Sequence, residues 1–382
     1  MGNEIIHIIN PYLFYTGSWI YSQITNVTKF NNSVFTYSTQ NLEQFPFQSI
    51  YCFDSFDILR KSLSKIYRII TNGNSGLFYS RYLKKIRPKI LHAHMGYEGA
   101  RWVRFAKKNN VPLITTFYGL DVSKLGKILY WQKKYKNLFK YGNSFLAEGN
   151  YLKKQLIELG CDENKIIVQH LGVAFDKYER KLYQEHFPNQ KTRIIQVSSF
   201  REKKGIEYSL EAISHLVKRS IHVEFVLIGG GDTKADENKL INLSNKLNIG
   251  EHVKFLGVKS HSDTLDEIRD SDIFLHPSVT ASDGDNEGGA PVGIMEASAI
   301  GLPVVSTFHA DIPEVVLNNK TGLLVNERNS IGLSYQIEKL INNYDLRKEM
   351  GNKGREHISQ NYNLMTQIKK LEEIYDRIIH EN

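Results

Sequence analysis

The chain has 382 residues and a mass of 44.0 kDa, enough for two or three domains that each bury a core, which excludes a peptide hormone or a lone binding module. Hydrophobic residues make up 41% and charged residues 24%, ordinary globular usage that excludes a disordered or collagen-like chain. The formal net charge is +8, but residues 1–190 hold 26 Lys+Arg against 13 Asp+Glu while the remainder holds 23 against 28, so the basic half is expected to have a partner of its own.

The N-terminus has no basic stretch ahead of its apolar run Ile5-Ile6, so it reads as a first strand and not as a secretory signal. Ile6 stands where a myristoylation signal on Gly2 wants Ser or Thr, which argues against a lipid anchor. No apolar stretch nears the roughly 18 residues of a membrane-spanning helix. Only two cysteines are present, Cys52 and Cys161, which points to a reducing compartment, the cytoplasm.

Short β-branched runs then alternate with amphipathic stretches, the pattern of α/β architecture with parallel sheets. The first series of strands is Glu4–Ile9, Val34–Tyr37, Ile90–His92, Leu113–Thr116, Ser144–Ala147 and Ile166–Gln169. The second is Arg193–Val197, Val223–Ile228, Val253–Phe255, Ile273–His276, Pro303–Ser306 and Gly322–Val325. The polar stretch Ala174 to Thr192 between them is the expected linker. Two doubly wound, Rossmann-like domains are implied, 1–178 and 193–363, with ligand at the carboxyl ends of the strands in a central cleft. The last helix repeats Leu364, Ile368, Leu371, Tyr375 and Ile378 on one stripe, which must pack on something, and residues 364–382 are expected to return to the first domain.

Val122 to Ala147 has no acidic residue but carries Lys124, Lys127, Lys133, Lys134, Lys136 and Lys140 among Tyr130, Trp131, Tyr135, Phe139 and Tyr141. Two readings stand side by side: a basic, aromatic face for an anionic membrane surface, and a solvated face whose aromatics pack inward. Nucleic acid would suit the charge, but no zinc-finger spacing, RNP-type strand or helix-turn-helix signature accompanies it.

The chemistry concentrates in Ser282 to Glu296. Gly288-Gly289-Ala290 precede Pro291, which suits a first helical position, so the run places a helix N-terminus where its amides and dipole favour an anion. Glu287 and Glu296 bracket that site, and such carboxylates accept hydrogen bonds from sugar hydroxyls. The alternative is surface acids beside a helix cap. Ser198 to Gly205 carries Arg201, Lys203 and Lys204 after a strand, where cations can hold phosphate; solvated surface charge is the bland alternative. His94 ends a strand, and an imidazole there can bond a sugar or steady positive charge; with His92 it lacks a third metal ligand. Gly229-Gly230-Gly231-Asp232 forms a strand-end turn that is no dinucleotide fingerprint.

The Ser282 to Glu296 segment, followed by ASAIGLPVVST, the ADIPEVV run and the NNKTGLLV run, resembles the family 4 retaining glycosyltransferases of the GT-B fold, in particular bacterial colanic-acid and exopolysaccharide types. TGSWIYSQI, ILHAHMGYEGA, TTFYGLDVS and EGNYLKKQLIELGCDENKIIVQHLGV agree, so the resemblance covers nearly the whole chain. It implies a nucleotide diphosphate sugar as donor, a lipid-linked oligosaccharide as acceptor, no metal and no further cofactor, and work at the inner membrane face. His94, Lys204 and Glu287 map onto catalytic positions. Gly17, Ser199, Arg201, Gly230, Gly288, Gly289 and Glu296 map onto the donor site, and Tyr118 and Asp121 onto the acceptor side. Three departures stand out. The glutamates are nine apart, one more than the family's E-x7-E, which leaves Asp285 as a substitute for Glu287. The family's Arg falls on Ser199, with Arg201 two residues later. Tyr118 occupies a histidine position. A catalytically inactive nucleotide-sugar-binding partner, or an epimerase or phosphorylase of the same fold, are the alternatives.

Overall fold

The computed structural model describes residues 3–14, 17–55, 62–63, 66, 76–183 and 191–381. Met1, Gly2, Thr16 and the middle of the expected linker, 184–190, lie outside them. The chain divides into two compact units, Met1–Gly172 with Leu364–Asn382, and Val173–Asn363.

In the first unit, β1 (Glu4–Ile8), β2 (Asn31–Thr36), β3 (Ile50–Cys52), β4 (Ile90–His94), β5 (Leu113–Phe117), β6 (Ser144–Ala147) and β7 (Ile166–Val168) form a seven-stranded sheet in the order β3-β2-β1-β4-β5-β6-β7. In the second, β8 (Thr192–Val197), β9 (Val223–Ile228), β10 (Val253–Phe255), β11 (Ile273–His276), β12 (Val304–Thr307) and β13 (Gly322–Val325) form a six-stranded sheet in the order β10-β9-β8-β11-β12-β13. All of these pairings are parallel. Both faces of a parallel sheet are covered by crossover helices, so its strands read as continuous apolar runs. Every residue of β4, β5 and β11 is buried.

Each order reverses direction once, between β1 and β4 and between β8 and β11. Crossovers diverge there and leave a crevice at the strands' carboxyl ends, where doubly wound sheets bind ligand. The β1 and β4 ends lead into Asn10 and Met95; the β8 and β11 ends lead into the Ser198 and Pro277 loops.

The C-terminal helix Leu364–Glu381 belongs to the first unit, with Leu364, Ile368, Leu371, Tyr375 and Ile378 all buried. Its Glu372 carboxylate accepts from the Thr28 and Lys29 amides, each at 2.8 Å, and Lys29 pairs with Asp376 at 2.5 Å. The division between units falls at Gly172/Val173, six residues before the expected end of the first domain. Val173 is tied into the second unit by donating its amide to the Tyr362 carbonyl at 2.8 Å. Cys52 and Cys161 are both free, and among the described residues no helix is long and apolar enough to cross a membrane.

Candidate functional site

The strongest cluster in the second unit joins the loops after β8 and β11. Gly205 makes that contact possible: it has φ +64°, and a Cβ there would lie 1.8 Å from the Pro277 carbonyl oxygen. Val279 donates its amide to the Lys203 carbonyl at 2.9 Å, and Ser282 donates its amide and hydroxyl to Glu202 at 2.9 and 2.7 Å.

So held, Lys204 Nζ donates to Glu287 Oε2 at 2.7 Å and Ser278 donates to Glu287 Oε1 at 2.7 Å. His276 Nε2 stands 3.6 Å from the same oxygen. Burial alone would raise the Glu287 pKa, but the Lys204 ammonium, with His276 and Lys203, holds the carboxyl well below the usual range. The result is a buried, ionised Lys–Glu pair at a topological switch point, where charge acts through little solvent screening.

Lys203 is not solvated surface charge: it donates to Asp285 Oδ1 at 3.2 Å and to the Asn286 carbonyl at 2.8 Å. Asp285 is thereby committed to Lys203, and Glu287 is the acid that meets Lys204. Arg201 is 53% exposed and pairs with Asp232 at 3.7 Å; Ser199 is half-buried and accepts the Arg201 amide on its carbonyl at 2.9 Å. Neither joins the Lys204–Glu287 pair.

The Gly288 and Gly289 amides, expected to face an anion, are occupied within their own loop, donating to Asn286 Oδ1 and to the Glu287 carbonyl at 3.0 Å each. Helix Val292–Ile300 starts three residues later, and the amides of its first turn, those of Val292 and Gly293, are among the groups a helix leaves without an intrahelical partner. Glu296, in that helix, accepts from Tyr178 at 3.1 Å and lies 2.8 Å from His261 Nε2. Glu287 and Glu296 therefore have separate sets of partners. The turn glycine that geometry demands after β9 is Gly229, with φ +137° and a Cβ position 1.8 Å from the Ser198 carbonyl oxygen; Gly230 next to it accepts the Phe200 amide at 2.8 Å.

Two residues without a motif complete this cluster. His309 Nε2 accepts the Glu287 amide at 3.2 Å, so its Nδ1 carries the hydrogen and donates to Glu327 Oε1 at 2.6 Å. Glu327 also accepts the Thr280 amide at 2.9 Å. Only the spacing of His309 after β12 and Glu327 after β13, both at strand ends, could have drawn attention to them.

In the first unit, Gly17 precedes helix Ser18–Asn26 and donates its amide to the Phe14 carbonyl at 2.8 Å. Asp121 is fully buried; its carboxylate accepts from the amides of Gly96, Gly119 and Tyr118 at 2.7, 3.0 and 3.2 Å. It shapes the loops after β4 and β5, and burial raises its pKa against the pull of those amides. Tyr118 bonds His94 Nδ1 at 2.7 Å, and His94 Nε2 lies 3.0 Å from His7 Nδ1. His7 is thus a third imidazole beside His92 and His94, brought there by the pairing of β1 with β4, with ring nitrogens within 4.8 Å of one another. All six ring nitrogens have hydrogen-bond partners, so the three imidazoles form part of one buried hydrogen-bond network.

Two parallel, doubly wound, Rossmann-like units are the architecture of the GT-B fold class. Solved structures of that class share the fold. A glycosyltransferase from Rickettsia africae matches with a TM-score of 0.79 at 20% identity, covering 100% of each chain. Anabaena Alr3699/HepE, solved with UDP and glucose, matches at 0.78 and 16% identity over 98% of this chain and 99% of that one. Residues 54–177 match Glycosyltransferase Family 4 and residues 178–357 match Glycosyl transferases group 1; the chain belongs to this glycosyltransferase family. It is 34% identical to the amylovoran biosynthesis glycosyltransferase AmsK of Erwinia amylovora over 67% of this chain and 62% of that one. To the putative colanic acid biosynthesis glycosyltransferase WcaL of Escherichia coli it is 31% identical, over 66% and 61%. The alignments thus span about three fifths of the length of these two curated relatives.

Proposed function

We propose that the protein transfers a sugar, with retention of configuration and without a metal, from a nucleotide diphosphate sugar to a hydroxyl of a lipid-linked oligosaccharide in cell-surface polysaccharide synthesis. The observation that carries this reading is the Lys204–Glu287 pair beside the amino terminus of helix Val292–Ile300. An arriving diphosphate finds an ammonium and two first-turn amides there, and these donors oppose the charge that grows on the leaving phosphate as the glycosidic bond breaks. Lys204 then shares its hydrogens between Glu287 and phosphate. Glu287 fixes the ammonium and accepts from a sugar hydroxyl; Glu296 accepts from the ribose. The donor's own phosphate oxygen takes the acceptor proton on the face the phosphate leaves, so no protein nucleophile is required.

The names of the relatives support a polysaccharide acceptor. A Campylobacter jejuni relative, 26% identical over 64% of this chain and 63% of that one, is named for transfer onto a diphospho-undecaprenol carrier, which supports the lipid-linked class and work at the cytoplasmic membrane face. The test is a thermal-shift screen against UDP, GDP, ADP, CMP and dTDP sugars, since a ligand of the folded state raises apparent stability. A shift with one nucleotide sugar that vanishes in Glu296→Ala is the expected result. Near-normal turnover of that donor by Lys204→Ala would overturn the assignment. A second reading, a nucleotide-sugar-binding partner without turnover, draws on Ser199 and Tyr118 at the family's Arg and His positions; donor binding with no transfer to any acceptor would favour it.

A further inference from the structure

His94 sits in a continuous chain of hydrogen bonds whose direction can be worked out from one end. Asn32 donates its amide hydrogens to the Val27 and Phe30 carbonyls at 2.9 and 3.2 Å, which fixes the orientation of its amide. Its Oδ1 therefore faces His7 Nε2 at 3.1 Å as an acceptor, and His7 must carry its hydrogen on Nε2. Burial lowers the His7 pKa to about 4 and holds those of His92 and His94 well below the ordinary imidazole value, so all three rings are neutral at pH 7. Neutral His7 has only a lone pair left on Nδ1. The 3.0 Å contact with His94 Nε2 is then a bond that His94 donates. By the same rule His94 Nδ1 bears no hydrogen, and the Tyr118 hydroxyl donates to it at 2.7 Å.

His92 has two hydroxyl partners of its own. His92 lies between Tyr375 on the C-terminal helix, 2.6 Å from its Nδ1, and the Thr116 hydroxyl, 2.7 Å from its Nε2. One polarity satisfies the chain from Tyr118 through His94 and His7 to Asn32.

We propose that His7 is a positioning residue for His94: by accepting the Nε2 hydrogen it fixes His94 as the Nε2–H tautomer, whose Nδ1 can only accept. This rests on the reading of His94 as a sugar-facing residue. A substrate group that replaces the Tyr118 hydroxyl at His94 Nδ1 must bring its own hydrogen, as a sugar hydroxyl does, and His94 takes no part as an acid. A tautomer imposed by a neighbour is a device by which one buried side chain sets what another can do. The two residues are 87 positions apart and meet because β1 and β4 are adjacent, with His7 directly opposite His92 in the pairing.

The test needs no donor and so is separable from the functional reading: long-range 1H–15N spectra of protein labelled at histidine, assigned by single substitutions, report which nitrogen carries the hydrogen. His94 in the unsubstituted protein is expected as the neutral Nε2–H form; an Nδ1–H or cationic ring at pH 7 overturns the proposal. His7→Leu removes the acceptor and is expected to move His94 toward the Nδ1–H form, since the Tyr118 hydroxyl can turn and accept. His7→Asn, whose Oδ1 stands in for the His7 lone pair, is expected to keep the original form. An unchanged His94 spectrum in His7→Leu overturns the proposal. Tyr118→Phe is expected to leave the Nε2–H form in place, and a tautomer switch in that variant would assign the control to Tyr118. If His7→Leu does not fold, the spectra of the unsubstituted protein and of Tyr118→Phe still decide.

Discussion

Lys204 Nζ and Glu287 Oε2 lie 2.7 Å apart, with side chains 15% and 6% exposed, in loops that leave neighbouring strands at the switch point of the second sheet. Removing one partner leaves the other charged and buried, which costs about 3 to 5 kcal/mol. Lys204→Ala is therefore expected to lower the melting temperature as well as turnover. Lys204→Met combined with Glu287→Gln, which removes both charges, is expected to regain most of the stability and none of the turnover. Thermal denaturation of the two variants side by side checks this. Equal losses would mean that an uncompensated Glu287 charge is not what destabilises Lys204→Ala.

The same pair predicts an acid limit. The Glu287 carboxyl is held well below its ordinary value of 4.5, so the unfolded chain takes up its proton first as pH falls. The stability that Glu287 contributes is complete above about pH 4.5 and is lost progressively below it, down through the depressed folded value. Melting temperatures of the unsubstituted protein and Glu287→Gln should converge on acidification through this range. A constant difference would show that the carboxyl is not perturbed.

The three buried imidazoles act over a higher range. His7, with a pKa lowered to about 4 by burial, stays neutral in the fold while its unfolded counterpart protonates near 6.5. Its contribution to stability is present above pH 6.5 and falls away toward pH 4, and the depressed His92 and His94, which face it along with Tyr118 and Tyr375, act in the same direction. His7→Asn should flatten the slope of melting temperature between pH 6.5 and about 4. An unchanged slope would assign it to other groups.

Much of this could be read in the sequence, and what could not has a common cause. Ser144–Ala147, Val223–Ile228, Ile273–His276 and Gly322–Val325 form as expected because buried parallel strands are written as largely apolar runs; Val253–Phe255, with Lys254 exposed, forms at the edge of its sheet. β3 escaped notice because Ile50-Tyr51-Cys52 is three residues long and half-buried throughout. Lys204 and Glu287 could each be placed on a loop, but their pairing across 83 positions depends on β8 lying beside β11. His7 meeting His94, and His309 holding the Glu287 amide, are likewise products of strand order. The Gly288 amide turns to the Asn286 side chain two residues before it and the Gly289 amide to the Glu287 carbonyl, local competition that leaves no periodic signal.

Gly205 and Gly257 separate backbone strain from crowding. Their φ angles are +64° and +67°, but a Cβ at Gly205 would sit 1.8 Å from the Pro277 carbonyl oxygen, while at Gly257 nothing lies within 4 Å. Gly257→Ala should cost about 1 to 2 kcal/mol, the left-handed penalty alone. Gly205→Ala adds a clash that only a displaced loop relieves, and should both destabilise more and weaken nucleotide-sugar binding by moving Lys204. Equal melting temperatures for the two variants would mean that the Lys204 and Pro277 loops are not locked together.

Helix Leu129–Tyr141 buries Tyr135, Leu138 and Phe139, so part of its aromatic face is core, as the inward-packing reading requires. At its amino-terminal end, however, Ile128, Leu129 and Tyr130 are 46%, 73% and 44% exposed, with Lys127, Lys133, Lys136 and Lys140 also exposed around the helix. An apolar tip ringed by lysines suits an anionic bilayer, where each cation near the surface adds about 1 kcal/mol and the tip buries apolar area among the acyl chains. The protein should float with vesicles containing phosphatidylglycerol and stay behind with pure phosphatidylcholine. Changing Lys127, Lys133, Lys136 and Lys140 to Gln should release it, and Leu129→Ser should weaken it at unchanged charge. Flotation indifferent to all of these substitutions would remove this helix from the membrane-facing surface and leave the basic balance of the first 190 residues to another partner.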